Sequence, residues 1–198
     1  MPHADISYIP DTIKTFAKLF LDRKVDFYDH VVSQLEALLE GERYWVTNLA
    51  QASALLYHSF LACPLYGGNA LKPVVNWTGF YLHPPSRLPS PVSSPLLLGP
   101  YHGRPACLSI TLSAGRSVCA DAFLSKKTLI VSDVEAYPGH IACDGDTKSE
   151  IVVPLRDGYG QVIGVLDLDS TDLGTFGEQD KQGLERVAEL LARGCGWS

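Results

Sequence analysis

Ser149-Glu150-Ile151-Val152-Val153-Pro154-Leu155 and Gln161-Val162-Ile163-Gly164-Val165-Leu166-Asp167-Leu168-Asp169 flank the segment Arg156-Asp157-Gly158-Tyr159-Gly160. Both flanks are rich in β-branched residues and the connection in turn residues, which predicts a β-hairpin. With the turn centred near Gly158 and Tyr159, Glu150 stands opposite Asp167, Val152 opposite Val165 and Pro154 opposite Ile163. Side chains alternate along a strand, so Glu150, Asp167 and Asp169 share one face at the open end of the hairpin. A slip of one residue would separate them. Three neighbouring carboxylates repel unless a cation, a shared proton or a metal intervenes. The same spacing equally suits strand-end acids standing in water.

Upstream, Phe27, Val31, Leu35 and Leu38 recur at helical spacing, with Gly41 near the end of the predicted helix. A second helix is predicted from about Asn48 to Ala62 and a strand over Val74 to Leu82. On that strand Trp77 and Tyr81 are four apart and share a face; such aromatics are more often plain core, but the gap that Gly79 leaves between the two rings favours a pocket. Pro84 to Pro95 holds five prolines and four serines and reads as an exposed loop. Leu108 to Leu112 and Thr128 to Val131 supply further strands. A last helix opens at Thr175-Phe176-Gly177-Glu178, a capping-box pattern, and carries Leu184, Val187, Ala188 and Leu191 on one face. Residues 1–24 read as a leader arm and 25–198 as one α+β domain, with helices packed on one face of a mainly antiparallel sheet.

The 198 residues, 46% of them hydrophobic, suffice for one buried core. A net charge of −6 argues against nucleic acid or an anionic membrane as partner. Met1-Pro2-His3-Ala4-Asp5 lacks the basic-then-apolar pattern of a secretory signal, so the chain reads as cytoplasmic. Tyr44 to Leu71 carries no charged side chain, but Asn48, Gln51 and His58 interrupt it and Pro64 ends it, as in a buried helix.

Five cysteines without secretory context argue for free thiols. Cys107, Cys119 and Cys143 form no Cys-x2-Cys element, which argues against structural zinc. Cys143 lies in the loop-like Pro138-Gly139-His140-Ile141-Ala142-Cys143-Asp144-Gly145-Asp146. There a protonated His140 would lower its pKa, and Asp144 and Asp146 would oppose that. The plain alternative is three small apolar side chains, and Cys63 and Cys195 read best that way.

Several strings coincide with one family. They are Asn76-Trp77-Thr78-Gly79-Phe80-Tyr81, Leu98 through Cys107, Val118-Cys119, Gly139 through Asp144, Ser149 through Val152, and Gly164 through Ser170. Over residues 24–193 the chain resembles the free methionine-(R)-sulfoxide reductases, single domains of the GAF fold. Ser117 and Ala120 depart from the glycines that usually flank the middle cysteine, and the Pro84 loop is longer than usual. The resemblance implies that Cys143 is the attacking thiolate on free methionine (R)-sulfoxide and passes through a sulfenic acid. It implies that Cys107 then closes a disulfide, which thioredoxin reduces, with Cys119 as a relay. It also places Glu150, Asp167 and Asp169 on the sulfoxide oxygen and substrate ammonium, and Trp77 and Tyr81 around the methyl end. No cofactor or metal is implied, and homodimerisation stays open. The alternatives are a GAF module that binds a small molecule without turnover, and a metal-dependent hydrolase, for which a His-rich ligand set is lacking.

Overall fold

A computed structural model describes residues 23–67, 71–83, 94–139 and 145–197. The elements in chain order are helices α1 (Lys24–Leu39) and α2 (Trp45–Ala62), a 3-10 turn (Pro64–Tyr66), strands β1 (Val75–Leu82), β2 (Leu96–Gly103) and β3 (Ser109–Ile110), helix α3 (Val118–Ser125), strands β4 (Leu129–Val131), β5 (Ser149–Arg156) and β6 (Val162–Ser170), and helix α4 (Glu178–Gly194). The strands make one antiparallel sheet in the order β3-β2-β1-β6-β5-β4. The expected leader arm, apart from Arg23 and Lys24, lies outside the described residues, as do residues 84–93 of the expected proline-rich loop. Among the described residues no helix is long and apolar enough to cross a membrane.

The β5–β6 hairpin forms, with a different register. Asp157 Oδ1 accepts from the backbone N–H groups of Tyr159 and Gln161, at 2.9 Å each, so the turn centres on Tyr159. A bulge between Leu155 and Arg156 adds one more residue, giving the pairs Glu150–Asp169, Val152–Asp167 and Pro154–Val165. The offset from the expected pairing is therefore two residues. Side-chain direction has a period of two, so the three acids stay on one face.

The opposite face of the sheet presents Phe80, Ile151, Val153, Leu155, Leu166 and Leu168 to α1, α2 and α4. Helix α1 buries Phe27, Tyr28, Val31, Leu35 and Leu39, whereas Leu38, expected inside, is 47% exposed because the stripe continues at Leu39. Helix α4 buries Leu184, Val187, Ala188 and Leu191 as expected. A Cβ at Gly183 would stand 2.0 Å from Tyr28 Cγ, so glycine is what lets α1 and α4 approach.

The helix begins later than the expected box. Gly177 is the N-cap, and its N–H donates to Asp180 at 2.7 Å. Asp180 is fully buried and also accepts from Lys24 (2.5 Å), Tyr28 (3.1 Å) and Tyr66 (2.5 Å), which locks the start of α1 to the start of α4. Cys63 and Cys195 are buried thiols of this core, as expected.

Two elements were not foreseen. Strand β2 contains Gly99 and Pro100, which break the strand pattern, but both fall where the β1–β2 register shifts between Gly79 and Tyr81. A bulge tolerates the missing proline N–H. Helix α3 packs Val118, Cys119 and Ala122 on Val152 and Val165, on the sheet face opposite the other three helices. Between α3 and the sheet lies the site.

Candidate active site

Alternation along β1, β5 and β6 turns Trp77, Tyr81, Glu150, Asp167 and Asp169 toward α3, where they line a cavity of about 430 Å³. Pairing in the sheet makes them neighbours: Asp169 sits across from both Glu150 and Trp77, and Asp167 across from Gly79. Glu150 and Asp167 are only 4% and 5% exposed, so the picture of strand-end acids in water is overturned for these two. Asp169 is half-buried.

Helix α3 closes the cavity from the other side. Ser117 is its N-cap, and the hydroxyl accepts from the Ala120 N–H at 3.0 Å. The Ser117 hydroxyl thus starts the helix. That start places Cys119 over the acids, its Sγ donating to Glu150 Oε1 at 3.9 Å. Donor atoms of Cys119, Glu150 and Asp167 all lie within 4.8 Å of one another. This juxtaposition was absent from the reading of the sequence, which treated Cys119 and the acids separately. Ser117 followed by Val118 and Cys119, with Asp121 in the first turn, was the signal available.

Burial dominates the electrostatics of the cluster. It holds the Glu150 carboxyl well above the usual carboxylate range, reinforced by the charges of Asp167 and Asp169. Asp167 is pushed up to about 7 by burial, against the opposing pull of hydrogen bonds from Cys119 and Glu150. Glu150 is therefore the donor of the pair, and the cluster keeps a proton at neutral pH. The Cys119 thiol is pushed up by burial and then by Asp167 and Glu150, so it is a neutral thiol and a weak nucleophile.

The aromatic wall is a three-ring stack. Trp77 lies between Tyr81, with centroids 5.9 Å apart, and Tyr101, 5.4 Å away. The opening expected at Gly79 is filled: a Cβ there would be 2.5 Å from Trp77 Cη2, so the indole lies across the glycine. Gly103 gives way in the same manner, its Cβ position being 2.7 Å from Trp77 Cδ1. The glycines set the ring's pose and the cavity opens beside it. Trp77 Nε1 and Asp167 Oδ1 are buried without a hydrogen-bond partner among the described residues. Such groups are costly unless a ligand completes them.

Cys107 is exposed at the rim of the cavity and is disulfide-bonded. Its carbonyl accepts from the Tyr81 hydroxyl at 3.0 Å, which ties the rim to the aromatic wall. Cys143, His140 and Asp144 lie outside the described residues. On either side of that stretch the chain is anchored beside the cavity. Gly139 (φ +70°) passes so close to Gly115 that a Cβ would stand 2.2 Å from its carbonyl oxygen, where no other residue fits. Asp146 pairs with Arg104 at 2.6 Å, just before Cys107.

The GAF domain family matches residues 80–194. The chain is 40% identical over 172 residues to the free methionine-R-sulfoxide reductase of Saccharomyces cerevisiae, covering 87% of each protein. It is 37% identical over 170 residues to that of Escherichia coli, covering 86% of this chain and 89% of the relative. Among solved structures, free methionine-R-sulfoxide reductase from Neisseria meningitidis in complex with its substrate superposes with a TM-score of 0.72 at 37% identity, covering 87% of this chain and 90% of that one.

Proposed function

Because the chain belongs to the GAF-domain free methionine-R-sulfoxide reductases and is an oxidoreductase, we propose that it reduces free L-methionine (R)-sulfoxide to L-methionine. The observation that carries the reading is a buried acid pair, Glu150 and Asp167, facing a cavity with an indole wall and a cysteine at its rim. Sulfoxide oxygen leaves sulfur only when it is protonated, and a buried Glu150 is a proton donor at neutral pH. Asp167 and Asp169 then face the substrate ammonium, where a cation relieves their repulsion. Trp77 and Tyr81 hold the apolar methyl end.

The attacking thiolate in this reading is Cys143. It takes oxygen from the sulfoxide and becomes a sulfenic acid, while the sulfoxide gains two electrons and becomes methionine. The Cys107 thiol then attacks the sulfenic sulfur, releasing water and leaving a Cys107–Cys143 disulfide. A disulfide at Cys107 supports this assignment. A dithiol protein of the thioredoxin type returns both cysteines to thiols. Cys119, buried and neutral, is suited to a later exchange step and not to the first attack. Lys24, expected in the arm, opens α1 and pairs with Asp180, so the domain includes it, and the setting is assigned to the cytoplasm.

The test is methionine release from the free (R)-sulfoxide by purified protein with dithiothreitol, with and without chelator. Catalytic release insensitive to chelator is expected. Tight binding of the sulfoxide without release would replace this reading with a GAF sensor.

A further inference from the structure

We propose that Cys119, Glu150 and Asp167 form a binding site for a thiophilic divalent cation, zinc above all, inside the cavity, so that ion and sulfoxide exclude each other. The three side chains come from three rigid elements, α3, β5 and β6, and their donor atoms converge within 4.8 Å. A second observation points to a ligand independently: Asp167 Oδ1 has no partner among the described residues although the residue is only 5% exposed and lines the cavity.

Thiolate sulfur and carboxylate oxygen are both zinc donors, and this set supplies one sulfur and two oxygens without a histidine. Tetrahedral bonds of about 2.3 Å to sulfur and 2.0–2.2 Å to oxygen place donors roughly 3.3–3.7 Å apart. The present Cys119 Sγ to Glu150 Oε1 separation of 3.9 Å needs only a small rotation to reach that. The fourth position opens on the cavity, for water or for half-buried Asp169. Sulfur in the set selects zinc, cobalt or cadmium over magnesium and calcium, which demand oxygen shells. On binding, the thiol proton leaves as the zinc–sulfur bond forms, and any proton held between the acids leaves with it. No electron moves. The ion site goes beyond the reductase reading and rests on the cavity, whereas its exclusion by sulfoxide rests on that reading.

The test uses the oxidised protein, in which Cys107 is in its disulfide and Cys63, Cys119 and Cys195 are the free thiols among the described residues. Zinc is titrated against a chromophoric chelator, and cobalt(II) is followed through its thiolate charge-transfer absorption. One ion per chain is expected, with loss of binding in Cys119→Ser and Asp167→Asn and competition by methionine sulfoxide. Removing an outer-shell partner of a metal site costs 10–100-fold, so removing a ligand should weaken binding by at least about tenfold. Should both variants misfold, the cobalt absorption of the unaltered protein still decides: a thiolate band that the sulfoxide abolishes supports the site. Cobalt binding without a thiolate band, unchanged affinity in Cys119→Ser, or loss in Cys63→Ser instead would overturn it.

Discussion

Replacing Asp167 by Asn separates the electrostatic cost of the site from its use. The carboxyl sits at about 7 in the folded chain and near 3.8 when solvated, so the native state binds its proton more tightly than the unfolded state. Such a group contributes most below pH 4 and loses that contribution as pH rises through 7. The rise amounts to on the order of 4 kcal/mol as an upper limit, at 1.36 kcal/mol per pH unit. Asparagine never ionises and escapes this penalty. The variant should therefore unfold at a higher temperature than the parent at pH 8, by at most about 8–16 °C, given 2–4 °C per kcal/mol for a domain of this size. Near pH 4 the gap should close. Calorimetric scans across pH 4–9 read both, while kcat/KM at pH 7.5 should fall by about 10²-fold or more from the lost pairing with substrate. Parallel stability curves for parent and variant would refute the reasoning, because they would mean that Asp167 titrates as an ordinary solvated acid.

Glu150→Gln removes the proton donor at constant volume and should lower kcat/KM by roughly 10²–10⁴-fold, the usual weight of a general acid; full activity of the folded variant would take Glu150 out of the chemistry. Asp180→Ala leaves the Lys24 ammonium without its buried partner and should cost about 3–5 kcal/mol in urea unfolding, although Asp180 lies outside the cavity; a loss under 1 kcal/mol would show the network to be dispensable. N-acetylation of the substrate deletes the ammonium and strands a buried acid, a loss of about 2–5 kcal/mol or roughly 30- to several thousand-fold in affinity; equal kcat/KM on the two forms would contradict the ammonium site.

How much of this was legible in the sequence follows from which physics each part obeys. The hairpin face was readable because period-two alternation survives a register error of two residues, so Glu150, Asp167 and Asp169 stayed together although their partners were misassigned. The core stripe of α4 was readable because Leu184, Val187 and Leu191 repeat at helical spacing. Strand β2 was hidden because Gly99 and Pro100 sit in a bulge, a compensation between strands that no single-strand pattern displays. Helix α3 was hidden because eight residues with two alanines carry little periodicity, and its place over the sheet is a tertiary fact. With it went the approach of Cys119 to the acids. The role expected of Gly79 was reversed for the same reason: only the Trp77 pose, wedged between Tyr81 and Tyr101, decides whether a missing Cβ makes a hole or a seat.

Thiol chemistry on a free sulfoxide is tested most directly by counting methionine released per pre-reduced chain in the absence of added reductant. The unaltered protein should release one equivalent and stop with its disulfide formed. Cys107→Ser should also release one, then fail to recycle when a dithiol protein is added. Cys143→Ser, folded as judged by circular dichroism, should release none. Methionine formed by Cys143→Ser at the rate of the unaltered protein would contradict the account.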